Sequence, residues 1–551
     1  MTDWVLMLSV GPVQGFIQES RRLSDLWASS HLLSELVRVA ARAAGGRTVY
    51  PADLGLAALP NKVVCVVENP QRAAEQARHA VQGRWEQSCR QALSRLGDVD
   101  EQFRAIWDRQ IGDFVEYQWA AVRGPDYATA FAQAASALQA RKRTRLFVQR
   151  REAGPKDSLT GTREALRTAH TTAHQYWAMQ AGRQRAAGRL KPGELLDAIG
   201  SVKRFALDQT FPSVSTVATA SFLARAERAR SLPRLTQLLD QAGVCRVDTG
   251  CSGFPYDGEF LYPETYQPER LRENYGIAPQ PEALPILDDL YGEVGARPNP
   301  YYAVAFMDGD AMGDRLAECL SEDEHAELSR RLGWHAIQSR DHLRRSGATP
   351  VYVGGDDLLV LLPAAGCLGE LQAVARNFTH VFSDWPHSAG KFTASAGVAI
   401  VHHRSPLDAA LATARAAQRD AKRLPGKNSL VVRIMKRSGD ALAVSTRWGA
   451  GLDTLNRLIE MLNGGRLSTR MCYELSSEAR LDLNLQTSAS LLRRLLTRHA
   501  APGHEPEARA IHGQLLTWAE DLAGLSGSGG IEALSRWALA AVFLSEGRSL
   551  E

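Results

Sequence analysis

The stretch YAVAFMDGDAMG (residues 302–313) and the stretch PVYVGGDDLLVLL (residues 350–362) decide the fold of this chain. Each stretch contains an apolar run, typical of a buried strand, next to a short acidic element rich in glycine. In the second stretch the acidic element separates two apolar runs, which predicts two short strands joined by a turn. Around them we predict helices at Leu316–Arg345, Leu368–Phe382 and Leu407–Arg423, and strands at Phe392–Val401 and Leu430–Ile434. The resulting βαββαβ order is that of a ferredoxin-like domain with an antiparallel sheet.

Four carboxylates accompany these strands. Asp308 and Asp310 follow the first strand, and Asp356 and Asp357 lie in the turn of the next hairpin. A ferredoxin-like sheet brings the end of the first strand and the hairpin turn together. No Lys or Arg lies nearby in sequence to compensate the acids, so they repel one another unless a divalent cation lies among them. Oxygen ligands suit Mg²⁺ or Mn²⁺, and the glycines leave room for a nucleotide. The pattern therefore predicts two-metal phosphoryl or nucleotidyl transfer.

Each of these residues also has a plainer interpretation. A Gly-Gly-Asp-Asp turn is common in ordinary hairpins, but the Asp308-Gly309-Asp310 element one strand upstream favours the metal site. Lys422 ends the helix that follows Phe392–Val401, near the expected triphosphate, although a positive charge also suits a solvated helix C-terminus. Ser395 is placed to approach a base or ribose, with a plain strand face as the alternative.

A basic cluster lies near residue 140. It consists of Arg141, Lys142, Arg143 and Arg145. With aromatic residues close in sequence, the cluster is a candidate contact for an RNA backbone, and a solvated basic face is the alternative.

The first 70 residues repeat the beginning of the ferredoxin-like pattern. Trp4–Val10 and Lys62–Val67 are strand candidates, and Ser20–Ala44 keeps helical spacing. We therefore expect a second, divergent copy of the domain. The predicted fold class is α+β: two ferredoxin-like domains, a mostly helical middle insert and a helical C-terminal domain. The predicted domain bounds are 1–150, 151–300, 301–440 and 441–551.

Composition excludes several classes of protein. The 551 residues are 44% hydrophobic and 23% charged, which is typical of a globular chain. A net charge of +4 excludes a highly basic nucleic-acid coat protein. The seven cysteines form no Cys-x-x-Cys pair, which argues for reduced thiols. No run approaches the roughly 18 apolar residues of a membrane span, so we expect a soluble, cytoplasmic protein without membrane contact.

With these motifs in hand, the chain resembles the large polymerase/cyclase-like subunit of type III CRISPR effector complexes, in the Cmr (III-B) branch. The similarity runs over most of the chain and is far more specific than any one motif. Besides the two acidic elements and the segments SAG (395–397) and AK (421–422), it rests on SVGPVQ (9–14), DLWASS (25–30), LPNK (59–62), VKR (202–204) and FPS (211–213).

The resemblance implies two cyclase-like palm domains that face each other and bind two ATP molecules. The 3′-hydroxyl of one ATP would attack the α-phosphate of the other, and repetition with ring closure would give cyclic oligoadenylate. Asp308, Asp356 and Asp357 would be catalytic and would bind Mg²⁺ or Mn²⁺, with Asp310 as a further ligand. The residues expected at ATP are Gln14, Ser30, Gly309, Gly354, Gly355, Ser395 and Lys422.

The resemblance also implies partners and an antiviral role. The expected partners are the small subunit and the backbone RAMP proteins of a Cmr-type complex, a CRISPR guide RNA and the target RNA. Pairing of guide and target RNA would switch synthesis on.

The chain departs from the family in two places. It begins at the first palm strand and contains no His-Asp dipeptide, so we expect no HD-type nuclease activity in this chain. Where relatives carry a Lys-Cys-x-x-Cys-Gly zinc element, this chain has Asp157 and Thr160 in place of the thiolates. We therefore expect no structural zinc.

Two alternatives to cyclic oligoadenylate synthesis stay open. The same site could join AMP to another small-molecule acceptor, or the chain could be a catalytically silent scaffold for guide and target RNA. A free-standing diguanylate cyclase fits less well, because Asp357 and Leu358 follow Gly-Gly-Asp instead of the Glu-Phe of a GGDEF turn, and the extra domains have no place in such an enzyme.

Overall fold

The computed structural model describes residues 3–144, 152–184, 189–191, 193–208, 211–247, 253–386, 392–437, 439–479, 485–526 and 529–545. Its strands are β1 Trp4–Gly11, β2 Arg47–Tyr50, β3 Lys62–Val67, β4 Glu116–Val122, β5 Tyr301–Gly309, β6 Thr349–Gly354, β7 Asp357–Pro363, β8 Ala394–His402, β9 Ser429–Met435 and β10 Ala441–Arg447. Within these ranges, no helix has the length and apolar character needed to cross a membrane.

Helices account for most of the remaining structure. They are α1 Gln14–Gln18, α2 Leu23–Ala44, α3 Pro70–Leu93, α4 Glu101–Ile111, α5 Tyr127–Arg143, α6 Ala173–Arg183, α7 Ala198–Phe205, α8 Val214–Ala226, α9 Ser231–Gln241, α10 Pro268–Arg270, α11 Ala283–Val294, α12 Met312–Ala317, α13 Glu322–Arg345, α14 Cys367–Val381, α15 Leu407–Arg423, α16 Ala450–Asn463, α17 Arg470–Glu478, α18 Leu485–His499, α19 Glu505–Ala510, α20 His512–Ser526 and α21 Gly530–Leu544. Single turns of 3₁₀-helix lie at Gly258–Leu261 and Pro263–Tyr266, and a π-helical turn lies at Leu271–Tyr275.

The two sheets share one topology. The first has the strand order β2-β3-β1-β4, and the second contains the order β8-β5-β7-β6. Numbered within each sheet, both read 4-1-3-2, and all these neighbours pair antiparallel. This is the arrangement of a βαββαβ ferredoxin-like domain. The predicted α+β fold with two ferredoxin-like domains is therefore confirmed, and the pattern recognised in the first 70 residues continues through β4.

One predicted helix is divided in two. The helix expected over Leu316–Arg345 consists of the short α12 and the long α13, with a break between them. Ser321 begins α13 as its N-cap, since its hydroxyl accepts a hydrogen bond of 3.2 Å from the backbone N–H of Glu324. After the break, α13 packs on the sheet face that carries Met307 and Leu358.

The second sheet extends beyond the ferredoxin-like core. β9 pairs with β8 in parallel, and β10 pairs with β9 antiparallel, so the sheet continues past the predicted domain bound at 440. The C-terminal helices pack on this extension. Trp518 donates its indole N–H to the Thr446 hydroxyl at 2.9 Å, and Trp537 donates to the Ser445 carbonyl at 3.0 Å. Sheet and C-terminal helices therefore share one hydrophobic core.

The middle of the chain is mostly helical, as predicted. At the place of the expected zinc element, the Asp157 carboxylate accepts hydrogen bonds from the backbone N–H groups of Leu159 and Thr160 and from the Thr160 hydroxyl. The two residues that stand where relatives have thiolates thus bond to each other and close the turn.

The two faces of the second sheet have different neighbours. Alternate residues such as Met307 and Leu358 face α13 and α14, whereas Tyr302 and Val304 face α2 of the first domain and α8. Strand alternation places Asp308 on this second face. The acidic motif therefore opens toward the first domain.

A buried ion network ties α2 to α7. Arg204 donates to both carboxylate oxygens of Asp25 at 2.6 and 2.7 Å and to Glu194 at 3.0 Å, and Arg22 also pairs with Glu194. Burial alone would raise the pKa of Glu194, but the two guanidinium groups lower it to about 2. Both carboxylates depend on Arg204 for their compensating charge.

Replacing Arg204 by Met should destabilise the protein strongly. The variant leaves Asp25 and Glu194 buried with too little positive charge, and the free energy of unfolding should fall by about 3–5 kcal/mol. Thermal denaturation followed by circular dichroism measures this. Arg536→Met is the control, because Arg536 and its partner Glu532 are about half exposed, and exposed pairs contribute at most about 1 kcal/mol. Equal stability losses in the two variants would contradict the structural role of the network.

Candidate active site

The ladder between β5 and β7 brings the acidic motifs together. Met307 pairs with Leu358, so that Asp308, one residue further along β5, lies opposite the start of β7. The backbone N–H of Gly309 donates to the carbonyl of Asp356 at 3.1 Å and attaches the strand end to the hairpin turn. As a result, carboxylate oxygens of Asp308, Asp356 and Asp357 all lie within 4.8 Å of one another.

The glycines of both motifs serve this close approach. A Cβ atom on Gly309 would lie 2.9 Å from Cβ of Asp356 and 2.6 Å from Cγ of Met312, so a larger residue would push strand and turn apart. Gly355 has φ +83°, a left-handed conformation that favours glycine in a tight turn. A Cβ atom on Gly354 would collide with the phenol of Tyr352. At Gly309 and Gly354, two of the predicted ATP contacts, neighbouring residues of the protein therefore occupy the space that a side chain would take.

The three carboxylates are held in an unfavourable electrostatic environment. Burial in the cleft raises the pKa of Asp356, and the neighbouring Asp357 raises it further. Burial also raises the pKa of Asp357, although Arg415 opposes this shift. Two carboxylates that resist ionisation, close to the carboxylate of Asp308, fit a divalent cation such as Mg²⁺ or Mn²⁺, which would compensate the charge of the group.

Lys422 reaches the same point from the end of α15. Its ammonium group pairs with the Asp308 carboxylate and lies 3.2 Å from the carbonyl oxygen of Gly309. Burial lowers the pKa of Lys422 to about 8. The sequence-based expectation that no positive charge compensates the acids is therefore wrong, because a residue more than a hundred positions away supplies one.

Asp310 and Ser395 do not join the acidic group. The Asp310 carboxylate is buried and accepts hydrogen bonds from the hydroxyls of Ser395 and Thr393, both at 2.8 Å, and from the backbone N–H of Asn428 at 3.0 Å. Ser395 is also fully buried. The two residues join β5, β8 and the loop before β9, whereas the roles of Asp310 as a metal ligand and of Ser395 at the nucleotide stay predictions.

Two tyrosines and a lysine near the acids were missed by the sequence analysis. Burial and the charges of the acidic pair raise the pKa values of Tyr50 at the end of β2 and of Tyr352 on β6. Lys62 at the start of β3 acts electrostatically on Asp356 from the first domain. Only the position of Lys62 in the LPNK segment gave a signal, whereas the proximity of Tyr50 depends on how the two domains pack.

Other predicted site residues lie on the first domain. Ser30 is buried on α2, and Gln14 begins α1, but the Gln14 side chain is outside the described part of the structure. In the basic cluster, the Arg141 guanidinium lies 5.9 Å from the centre of the Trp119 ring, Lys142 is half-buried and Arg143 ends α5. Arg145 lies outside the described residues.

Arg415 occupies the cleft beside Asp357. Its guanidinium carbon lies 4.6 Å from the centre of the Phe306 ring, on the sheet face that opens toward the first domain. Among the described residues, its buried Nε atom has no hydrogen-bond partner. A cation stacked on an aromatic ring is therefore available next to the acidic group.

Two family models match the chain. Residues 301–431 match the Cas10/Cmr2 second palm domain, and residues 5–51 match the N-terminal region of the CRISPR-associated protein Cmr2. The Cmr2 subunit of the CRISPR Cmr system of Pyrococcus furiosus is 30% identical over 193 residues. That alignment covers 30% of this chain and 22% of the relative, so the matched part is only about a fifth of the relative's length.

Solved structures show the same fold along nearly the whole chain. A chain of the apo type III-B Cmr-beta complex superposes with a TM-score of 0.70 at 13% identity, over 99% of this chain and 82% of that one. A chain of Cmr-beta bound to cognate target RNA superposes with a TM-score of 0.68 at 12% identity, over 99% and 83%. The chain therefore shares its fold with chains of Cmr-beta complexes, and two of its regions, on the first sheet and around the acidic hairpin, match models of the Cas10/Cmr2 family.

Proposed function

We propose that the chain is the large subunit of a type III-B CRISPR complex and that, when target RNA is bound, it converts ATP to cyclic oligoadenylate. The convergence of Asp308, Asp356 and Asp357 at one hairpin is the observation that carries the proposal. Three carboxylate oxygens within 4.8 Å of one another form a ligand set for divalent cations in nucleotidyl transfer.

Each residue at the hairpin has a distinct role in this reaction. Asp308, Asp356 and Asp357 hold the cations, which when bound supply Lewis-acid stabilisation of the reacting phosphate. The 3′-oxygen of one nucleotide forms a bond to the α-phosphorus of the other, the bond to pyrophosphate breaks, and the hydroxyl proton leaves to water. Lys422 is then free to leave Asp308 and to stabilise the negative charge of the departing pyrophosphate.

The proposed partners follow from the family. They are the small subunit and the backbone RAMP proteins of a Cmr-type complex, a CRISPR guide RNA and a target RNA. The match of residues 301–431 to the Cas10/Cmr2 second palm domain and a fold shared with a chain of Cmr-beta complexes support this part of the proposal.

Two other functions use the same geometry. The acidic group could transfer AMP to another small-molecule acceptor, because cation binding does not define which hydroxyl attacks. Alternatively, the chain could act as a scaffold for guide and target RNA without catalysis. The close packing of three carboxylates argues against the scaffold. Their mutual repulsion costs stability, and in a site without cations nothing would offset that cost.

Changing both hairpin acids should abolish synthesis. In the Asp356→Asn, Asp357→Asn double variant we expect product formation to fall at least about a hundredfold, because two of three cation ligands lose their charge. The assay is the assembled complex with guide RNA, matching target RNA, ATP and Mg²⁺ or Mn²⁺, with products resolved by chromatography and mass spectrometry. Asp384→Asn, at an exposed acid paired with Arg331, is the control.

The products decide between the alternatives. Cyclic oligoadenylates that appear only with target RNA support the proposed function and give the ring size. An AMP conjugate would retain the site but replace the acceptor. If the wild-type complex forms no nucleotidyl product with either metal, the enzyme proposal is overturned in favour of the scaffold.

Asp308 and Asp310, two residues apart, should respond differently to substitution. Asp308→Asn should weaken Mn²⁺ binding at least about tenfold with little change in stability, because the residue is a cation ligand. Asp310→Asn should leave Mn²⁺ binding within about threefold but lower the melting temperature, because its carboxylate accepts buried hydrogen bonds. Electron paramagnetic resonance of free Mn²⁺ and thermal denaturation measure the two effects. The reverse pattern would return Asp310 to the metal site.

A further inference from the structure

The ladder between β6 and β7 places a tyrosine beside the acidic hairpin. Gly354 pairs with Asp357, and two residues earlier Tyr352 pairs with Leu359. Side chains alternate along a strand and paired residues point the same way, so Tyr352 and Asp357 share one face of the sheet. Val353, between Tyr352 and Gly354, packs on the opposite face, in the core that contains α13 and α14. Tyr352 therefore lies on the face that opens toward the first domain.

The phenol of Tyr352 occupies the space where a side chain of residue 354 would lie. A Cβ atom on Gly354 would collide with the hydroxyl oxygen of Tyr352 and with two carbon atoms of its ring. The hydroxyl thus lies directly across the ladder from Asp357. Because Cβ atoms of directly paired residues are about 5 Å apart, the hydroxyl and the Asp357 carboxylate are neighbours on one sheet face.

Packing holds the ring of Tyr352 in this place. The ring is partly buried and packs against the apolar cluster that contains Leu23 and Leu26 of α2 and Leu359 of β7. The cluster combines residues of both domains, which restricts the rotamers of the ring. A side chain that packing already fixes loses little entropy when its polar end forms a bond.

The hydroxyl of Tyr352 and the carboxylate of Asp357 are both free to form a hydrogen bond. In the described part of the chain neither group has a hydrogen-bond partner, whereas Lys422 pairs with Asp308. A phenol keeps its proton near neutral pH and can donate it to a carboxylate. Asp357 thus has an unused donor beside it that is able to fix the direction of its oxygens.

We propose that Tyr352 is a positioning residue of the acidic group. When a divalent cation is bound, the Tyr352 hydroxyl donates a hydrogen bond to one carboxylate oxygen of Asp357, and the other oxygen ligates the cation. This inference rests on the proposed function, since that function assigns the cations to Asp308, Asp356 and Asp357. Loss of a residue that orients a metal ligand typically lowers metal affinity about 10- to 100-fold.

A purely structural role would belong to the ring of Tyr352 rather than to its hydroxyl. The ring fills the space beside Gly354 and packs on the apolar cluster, and phenylalanine would do the same. The hydroxyl adds no hydrogen bond to this packing within the described part of the chain. Removing the hydroxyl alone therefore separates a structural role from a positioning role.

Binding of Mn²⁺ to the purified full chain tests the proposal. Electron paramagnetic resonance of free Mn²⁺ gives the affinity, and thermal denaturation in EDTA gives the stability of the metal-free protein. Tyr352→Phe should weaken Mn²⁺ binding about tenfold, because Asp357 loses the bond that orients it. The melting temperature in EDTA should stay within about 2 °C of wild type, because the hydroxyl has no partner before the cation binds.

Two further variants make the result specific. Tyr302→Phe removes a hydroxyl from the same sheet face, near the start of β5 and about 20 Å along the strand from Asp308. That hydroxyl is buried and has no partner among the described residues, and the variant should bind Mn²⁺ as wild type does. The double variant Tyr352→Phe, Asp357→Asn should bind Mn²⁺ within about threefold of Asp357→Asn alone, because Tyr352 acts through Asp357.

Four results would overturn the positioning role while wild-type protein binds Mn²⁺ and the acidic group remains a cation site. Tyr352→Phe could bind Mn²⁺ as wild type does, or could lose several degrees of melting temperature, which would assign the effect to packing. The double variant could bind about tenfold more weakly than Asp357→Asn, which would place the hydroxyl's action elsewhere. Finally, Tyr352→Phe could keep its Mn²⁺ affinity and lose affinity for α,β-methylene-ATP, which would make Tyr352 a nucleotide contact.

Wild-type protein that binds no Mn²⁺ gives a different result. It would overturn the cation site of the proposed function and the role of Tyr352 together. Because this outcome is read from wild type and the others from variants, failure of the proposed function and failure of the positioning role are distinguishable.

Discussion

The hydrogen bond from the Gly309 N–H to the Asp356 carbonyl is the contact on which the site depends. It attaches the end of β5 to a hairpin turn whose carboxylates would otherwise separate, because like charges at this distance repel one another. The bond can form only if residue 309 has no side chain, since a Cβ atom there would contact Asp356. Backbone geometry, rather than attraction among side chains, assembles the acidic group.

Asp308 and Asp310, two residues apart in sequence, have different environments in this fold. Strand alternation turns Asp308 toward the cleft between the domains, where Lys422 pairs with it. Asp310 follows the end of the strand, and hydroxyl and backbone donors of Thr393, Ser395 and Asn428 enclose its carboxylate. These donors satisfy the hydrogen-bonding capacity of the buried carboxylate within the second domain. Asp310 thus fixes the end of β5 by its hydrogen bonds, while Asp308 on the same strand faces the cleft.

The sequence was sufficient to predict the fold around the acidic motifs, because apolar runs and glycine turns are local signals. It also predicted the convergence of Asp308 with Asp356 and Asp357, since neighbouring strands of a known topology bring their ends together. It failed where the outcome depends on side-chain direction or on distant packing. Whether Asp310 turns inward, and whether Lys422 reaches Asp308, are decided by contacts that cross the whole second domain.

The divergence of the two domains suits the chemistry proposed for them. In nucleotidyl transfer, the nucleotide under attack develops charge at phosphorus and on the departing pyrophosphate, so its site benefits from cations held by carboxylates. The nucleotide that supplies the hydroxyl reacts at its ribose and needs its polyphosphate only to be held in place. At the start of the corresponding strands, the first domain has Lys62 where the second has Asp357. One fold used twice, with the sign of one charge reversed, therefore concentrates the carboxylates in the second domain, where Asp308, Asp356 and Asp357 converge.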